Sequence, residues 1–217
     1  MKNALITGSE TFGNYMTNPT KWLALSSDGK TIAGHKIRSL VFPTPMLLPD
    51  GVENPGETII RETKAIDADV ILSFGLASEA KGFRVERSAT NWMFNEKYAL
   101  PYENNLPIDS SRPQKETIQI NLSQWDIEGM RTRFAEAGIP LNPDISDDPG
   151  QYTCNSWIYR TLNAMEENSL SIPYLFVHMS CTEDAIELMP DFDRSKLLIT
   201  REDMTKALEL LLQSYVA

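Results

Sequence analysis

The chain has 217 residues, a formal net charge of −10 and a hydrophobic content of 41%, which predicts a single domain over residues 1–217 that needs neither disulfide nor metal staples. The acidic charge argues against nucleic acid and acidic membrane surfaces as partners, and no apolar run approaches the roughly 20 residues of a membrane span. The short apolar run near Met1 lacks the pattern of a signal peptide, so we expect a soluble, cytoplasmic protein whose two cysteines are free.

Strand-like and helix-like segments alternate along the chain. The strand-like runs are Ala4–Thr7, Lys36–Phe42, Asp69–Phe74, Phe83–Asn91 and Tyr174–Met179. The helical patterns are Thr20–Ser26, Glu57–Ala65, Ile127–Ala137, Cys154–Glu167 and Arg201–Val216. Helix-start signals occur at Asn18-Pro19, at Asn54-Pro55 and at Thr200 with Asp203. This alternation predicts an α/β fold with a mostly parallel sheet covered by helices on both faces.

Three loops are candidates to border a binding site. Residues 95–116 and 139–151 are rich in Asn, Asp, Pro and Ser, and long loops in a compact α/β domain often lie beside an active site. The segment from Gly8 to Gly13 follows the first strand but lacks the third glycine and the lysine of phosphate-binding loops. Its place at the carboxyl end of a strand still makes it a candidate ligand-binding loop.

Cys154, His178 and Glu86 together indicate a thiol hydrolase. Cys154 lies at the start of a helical pattern, where the positive end of the helix dipole favours a thiolate. His178 ends the apolar run that begins at Tyr174, and Glu86 lies in a strand-like stretch. A nucleophile, an imidazole base and a carboxylate that orients the base are therefore available on separate elements.

Each of these residues also has a purely structural interpretation. A single cysteine at a helix start is more often a small buried hydrophobe, and a strand-end histidine is often a hydrogen-bonded core residue. The other histidine, His35, is predicted to be a turn residue near the surface. Glu86 could instead form an ion pair, for which the candidate partners are Arg84, Arg87 and Lys81.

A metal site is the competing chemistry. His178 and Cys181 have a His-x-x-Cys spacing that Cys154 could complete. Zinc sites need three or four ligands with paired spacing, and the chain has no Cys-x-x-Cys and no second local histidine. The sequence therefore favours the hydrolase over a metal centre.

The motifs taken together resemble the pyroglutamyl peptidase I family, which are cysteine peptidases also called pyrrolidone-carboxylate peptidases. The matching segments are Leu5–Gly13 with Asn18-Pro19, Gly75–Ala77 with Val85–Arg87 and Asn91, Asn105–Asp109, Gly150–Asn155 with Tyr159, and Phe176–His178. The cysteine, histidine and glutamate signatures occur in the family's order, which makes the resemblance specific.

The resemblance implies a three-layer αβα sandwich and an enzyme that removes an amino-terminal pyroglutamyl residue from peptides, without a metal or cofactor. It implies Cys154 as the nucleophile, His178 as the general base and acid, and Glu86 as the residue that orients the imidazole. Phe12 and Tyr152 would line the pocket for the lactam ring, and backbone groups near Gly75 and Leu76 would lie beside it. The family also commonly forms homo-oligomers.

The chain departs from the family around the pocket rather than in the triad. Ser9 replaces a usual phenylalanine, Thr11 replaces a proline, and residues 92–100 look longer than usual, with Lys97 the nearest candidate for an expected arginine. A missing wall at position 9 predicts weak pyroglutamyl binding, unless Trp92 or Phe94 supplies a substitute. Two alternatives follow: a cysteine amidase for another small acyl or lactam group, and a non-catalytic homologue that keeps the triad.

Overall fold

The computed structural model describes residues 1–11, 15–43, 54–77, 80–94, 105–189 and 198–216. The strands are β1 (Lys2–Ser9), β2 (Thr31–Ile32), β3 (His35–Phe42), β4 (Val70–Leu76), β5 (Phe83–Glu86), β6 (Ser88–Thr90), β7 (Thr117–Gln119) and β8 (Tyr174–Met179). The α-helices are α1 (Pro19–Ser27), α2 (Pro55–Ile66), α3 (Ile127–Glu136), α4 (Thr153–Glu167) and α5 (Arg201–Leu212).

Six strands form the main sheet in the order β2-β3-β1-β4-β8-β5. The four central strands run parallel, while β2 and β5 pair antiparallel at the two edges. Helix α2 packs on α4, and α3 and α1 each contact α5, so helices form layers on the sheet. The predicted α/β fold with a mostly parallel sheet is confirmed.

The predicted helix starts are also confirmed, because each has its capping side chain in place. The Asn18 side chain accepts a hydrogen bond from the backbone of Thr20 at the start of α1. Asn54 with Glu57 and Thr200 with Asp203 form reciprocal capping boxes at α2 and α5. At its other end α5 stops at Leu212, short of the predicted Val216, because the chain turns to pair with the segment before α3.

A continuous apolar core holds the central strands against the helices. Strand β4 is buried along its whole length, and so is β8. Trp157 of α4 is fully buried and meets Phe42 and Phe176 edge to face, each at a centroid distance of 5.4 Å. This packing ties α4, which carries Cys154, to β8, which carries His178. None of the helices in the described part of the chain combines the length and apolar character that crossing a bilayer requires.

Two sequence expectations are corrected by the fold. The run Phe83–Asn91 is not one strand, because β5 joins the main sheet while β6 pairs with β7 in a separate two-stranded sheet. The break falls at Arg87, whose backbone bonds to Ser146 and Ile120 of the following loops. His35 is not a surface turn residue either, since it begins β3 and is only 4% exposed.

Candidate active site

Strand register brings Glu86 and His178 together. In the antiparallel β5–β8 pair, Arg84 lies opposite His178 and Glu86 lies opposite Phe176, so all four side chains share one face of the sheet. His178 Nδ1 lies 2.7 Å from Glu86 Oε1, and both side chains are buried. Because a carboxylate oxygen only accepts, Nδ1 carries the hydrogen and Nε2 is left for the substrate side of the ring.

Cys154 approaches the same imidazole from α4. It is the second residue of that helix and is half-buried, and its thiol lies within hydrogen-bonding reach of His178. No side chain caps this end of α4, whose first internal bond is Ser156 N–H to the Tyr152 carbonyl. The preceding turn needs Gly150, which has a positive φ of 80°. The first backbone amides of α4, that of Cys154 among them, therefore have no hydrogen-bond partner within the helix.

The pKa shifts at this site are those of a charged pair rather than of two neutral groups. Burial lowers the pKa of His178, but its interactions with Cys154 and Glu86 outweigh burial and raise that pKa to about 9. Burial raises the pKa of Glu86, yet His178, the nearby Ser146 hydroxyl and Arg84 bring it below the ordinary value. The Ser146 hydroxyl itself hydrogen-bonds the Asp148 carbonyl at 3.2 Å, and Glu86 Oε2 has no hydrogen-bond partner among the described residues.

The end of β4 leaves space for the His178 ring and places backbone groups beside it. A Cβ on Gly75 would lie 2.8 Å from His178 Cδ2 and 2.8 Å from Phe176 Cζ, so only glycine lets the ring sit there. Backbone direction alternates along a parallel strand, and the Ala77 amide points to β8. The Leu76 backbone therefore points towards β1, beyond the last β1–β4 pair at Thr7 and Ser73.

Of the predicted pocket residues, Tyr152 lies at the N-cap of α4, half-buried against the core. Phe12 lies outside the described residues, as does Lys97. The Ser9 hydroxyl accepts a hydrogen bond from Asn18 at 2.9 Å and lies 3.3 Å from Thr20 Oγ1. The side chain of Ser9 therefore contacts the start of α1, and the missing aromatic wall at position 9 stays a prediction.

Backbone hydrogen bonds tie the segment of Trp92 and Phe94 to the residues that flank Cys154, while the Trp92 ring lies under Lys115, whose Nζ is 4.9 Å from the ring centroid. The Phe94 amide donates to the Gln151 carbonyl at 2.6 Å. The buried side chain of Asn155 clamps the same segment through hydrogen bonds of 2.8 Å to the carbonyls of Thr90 and Trp92. The motif Gly150–Asn155 contains Asn155 but does not predict these hydrogen bonds, for which its position next to Cys154 is the available signal.

Two other interpretations were open for these residues: an ion pair of Glu86 and a metal site that includes His178 and Cys181. Arg84 does pair with Glu86, its Nε lying 2.7 Å from Oε1, but Glu86 contacts His178 as well. Arg87 pairs with Asp147 at the surface instead. Cys181 is buried, with its sulfur 3.1 Å from Met189 Sδ, and the described residues contain no group of three or more His, Cys, Asp and Glu side chains arranged as metal ligands.

Related sequences point to one family. A family model described as pyroglutamyl peptidase matches residues 2–207. The pyrrolidone-carboxylate peptidase of Bacillus mycoides is 25% identical over 214 residues, covering 97% of this chain and 93% of the relative. That of Thermococcus litoralis is 26% identical over 187 residues, covering 86% and 80%.

Solved structures agree at the level of the fold. The pyrrolidone carboxyl peptidase from Thermococcus litoralis superposes with a TM-score of 0.78 at 24% identity, covering 98% of this chain and 92% of that one. The pyroglutamyl peptidase I from Bacillus amyloliquefaciens gives 0.77 at 20% identity, covering 97% and 92%. With its family model matched across residues 2–207, and with relatives of the same description along nearly its whole length, the chain belongs to the pyroglutamyl peptidase family.

Proposed function

We propose that this protein is a cysteine peptidase that removes an amino-terminal pyroglutamyl residue from peptides. The observation that carries the proposal is the buried 2.7 Å contact between Glu86 and His178, with the Cys154 thiol within hydrogen-bonding reach of the same ring. Family membership and the names of the relatives support the choice of substrate. Cys154 is then the nucleophile, His178 the proton carrier and Glu86 the residue that fixes the ring.

The reaction begins from a Cys154 thiolate and a protonated His178. The thiolate attacks the pyroglutamyl carbonyl, and the negative charge on the oxygen is met by the amides of the first turn of α4, that of Cys154 among them. His178 gives its proton to the leaving amine, which departs as the shortened peptide. The neutral imidazole then takes a proton from water, whose oxygen attacks the thioester and releases pyroglutamate and the thiolate.

Substrate selection follows from the surroundings of the thiol. The half-buried Tyr152, together with Phe12, is proposed to line the lactam pocket, and the Phe94 segment is proposed to complete it in place of an aromatic at position 9. The Leu76 backbone groups at the end of β4 are proposed partners for the lactam amide, beside Gly75. A pocket that hydrogen-bonds the lactam N–H rejects rings that lack it.

The two cysteines make a clean test possible. We expect wild-type protein to hydrolyse a fluorogenic pyroglutamyl amide, and Cys154→Ala to be inactive. Cys181→Ala is the matched control, because burial raises the pKa of that thiol to about 11 and removes it from chemistry near neutral pH. One equivalent of iodoacetamide should abolish activity in wild type and in Cys181→Ala alike.

The outcomes separate the three candidate functions. Hydrolysis of the pyroglutamyl amide that survives in Cys154→Ala would remove Cys154 from the role of nucleophile. Rapid alkylation of Cys154 without turnover of this substrate would favour an amidase for another acyl group, to be sought with a panel of small acyl and lactam amides. Slow alkylation and no turnover would favour a non-catalytic homologue.

The assembly and the compartment are proposed on the family resemblance and the composition. We propose a homo-oligomer of the single domain 1–217 that acts in the cytoplasm. Light scattering coupled to gel filtration tests the oligomer, and a mass equal to one chain of 24.5 kDa would contradict it.

A further inference from the structure

Arg84 is placed at the triad by strand register. It is the residue directly opposite His178 in the β5–β8 pair, and its spacing from Glu86 puts both side chains on the face that carries the imidazole. Its side chain is only 12% exposed. An arginine that is almost buried beside a catalytic imidazole has a direct electrostatic effect on it, because little solvent screens the two groups.

The contacts show one carboxylate oxygen serving two donors. Arg84 Nε and His178 Nδ1 each lie 2.7 Å from Glu86 Oε1. Arg84 Nη2 lies 3.3 Å from Nδ1, but Nδ1 already donates to Glu86 and so does not accept a hydrogen bond in this tautomer. The guanidinium is therefore a fixed positive charge at the edge of the ring.

We propose that Arg84 is a positioning residue of the triad, which holds Oε1 of Glu86 in line with His178 and whose charge limits how firmly the imidazole keeps its proton. The geometry supplies both effects. The hydrogen bond from Nε fixes the carboxylate in one rotamer, and a guanidinium does not lose its charge at any working pH. A like charge next to the imidazolium opposes its formation, whereas Glu86 and the thiolate favour it.

The charged groups around His178 make the balance explicit. Strand β5 contributes Arg84 and Glu86, and α4 contributes Cys154. Strand β4, which packs on the other side of β8, presents Gly75 to the ring and has no charged residue between Val70 and Leu76. Among these groups Arg84, whose Nη2 lies 3.3 Å from Nδ1, is the cation that opposes protonation of His178.

The test measures the proton on His178 directly. The chain has only two histidines, so the imidazole signals of labelled protein can be assigned with a His35→Gln variant. In Arg84→Met we expect the His178 titration midpoint to rise by about half a unit or more, since nearby charges typically move a pKa by that much. Arg84→Lys keeps the charge and should titrate like wild type. Arg87→Met, which removes an exposed arginine three residues along the chain, is the control and should also match wild type.

Kinetics provide the second readout, and this part rests on the proposed function. In Arg84→Met the alkaline limb of kcat/KM should move up with the His178 midpoint. Its kcat should fall about tenfold because Glu86 is no longer held, while KM changes little. If Arg84→Met does not fold, Arg84→Gln removes the same charge and retains a hydrogen-bond donor.

The proposal is overturned if the midpoint in the neutral variant is unchanged or falls, or if Arg84→Lys shifts as far as Arg84→Met. The magnetic-resonance measurement needs no substrate. If the wild-type protein had no pyroglutamyl amidase activity, the proposed function would be contradicted. The effect of Arg84 on the His178 titration could still be measured.

Discussion

The two histidines show how different surroundings set the charge of a buried imidazole. Both are buried, with exposures of 2% for His178 and 4% for His35, and both hold a hydrogen-bond partner at Nδ1. The partner of His178 is the Glu86 carboxylate, whereas that of His35 is the Ala33 carbonyl at 2.8 Å. Burial lowers the pKa of His35, while the pKa of His178 rises to about 9.

Burial lowers the pKa of both imidazoles, and only at His178 do charged partners reverse that effect. At the His35 end of the sheet, Tyr215 OH donates to Nε2 at 2.8 Å and the nearby charge of Lys2 opposes protonation. His178 instead lies near the carboxyl end of β8, on the side of the sheet where the parallel strands end and α4 begins. His35 therefore lies at the start of its strand and His178 near the end of its own.

Glu86→Gln should break the comparison most strongly, because it gives His178 a neutral partner like that of His35. We expect kcat to fall by about 10³–10⁴-fold, as when the orienting carboxylate of a catalytic triad becomes an amide. The pKa of His178 should fall with it. Asp147→Asn removes a surface carboxylate that pairs with Arg87 and is the matched control. A loss of less than tenfold in Glu86→Gln would contradict the orienting role.

Gly75→Ala tests whether the position of the His178 ring matters as much as its charge. The new Cβ would meet both His178 and Phe176 at 2.8 Å, so one ring must move. We expect a loss of kcat of about 10–100-fold and of stability of about 1–3 kcal/mol. Gly138→Ala is the control for stability alone, because its φ of 69° strains any side chain while nothing lies within 4 Å. Equal activity losses in the two variants would mean that Gly75 acts only through folding.

Several of these features could be predicted from the sequence because they depend on local patterns. Apolar runs and capping residues predicted the five α-helices of the described residues and four of the strands of the main sheet, since burial and capping leave periodic signals. Cys154 at a helix start, His178 at a strand end and Glu86 within a strand-like run were predicted to act together. The common face of Glu86 and His178 follows from the β5–β8 register, which the structure supplies.

The features that were missed depend on pairing between distant segments. Nothing local in Phe83–Asn91 shows that Arg87 turns aside to bond Ser146 and Ile120, splitting the run into β5 and β6. His35 looked like a turn residue because its partner, Tyr215, lies 180 residues away. The buried hydrogen bond from Asn18 to the Ser9 hydroxyl was not predicted either. A phenylalanine at position 9 would have to displace this hydrogen bond, so Ser9→Phe is expected to destabilise the fold.

The pH dependence of stability should differ in sign between the two histidines. The pKa of His35 is lowered, so its contribution is present above the unfolded value of about 6.5 and is lost as the pH falls below it. The pKa of His178 is raised, so its contribution is present below about 6.5 and is lost as the pH rises towards about 9. Each slope is at most about 1.4 kcal/mol per pH unit.

Urea unfolding across this pH range, in wild type, His35→Gln and His178→Gln, measures the two slopes. We expect His35→Gln to lose the acid-side slope and His178→Gln the alkaline one. Cys154→Ala should weaken the alkaline slope too, because the thiolate is one cause of the raised pKa. Identical pH profiles in the two histidine variants would show that neither imidazole is charged as inferred.

Tyr215→Phe should have the smallest effect, and that effect should be confined to the end of the sheet where His35 lies. It removes the O–H that Tyr215 offers to His35 Nε2 and leaves a buried acceptor, at a cost of about 1 kcal/mol in the free energy of unfolding. The ring stays beneath Lys2, whose Nζ lies 4.7 Å from its centroid, so packing is largely kept. In a double-mutant cycle with His35→Phe, most of that cost should disappear, because a phenylalanine side chain has no acceptor for the Tyr215 O–H. The kcat for the pyroglutamyl amide should be unchanged, since His35 begins β3 while His178 lies near the end of the parallel strand β8. A change of kcat in Tyr215→Phe would show that the two ends of the sheet are coupled, and the two histidines would then belong to one system instead of two.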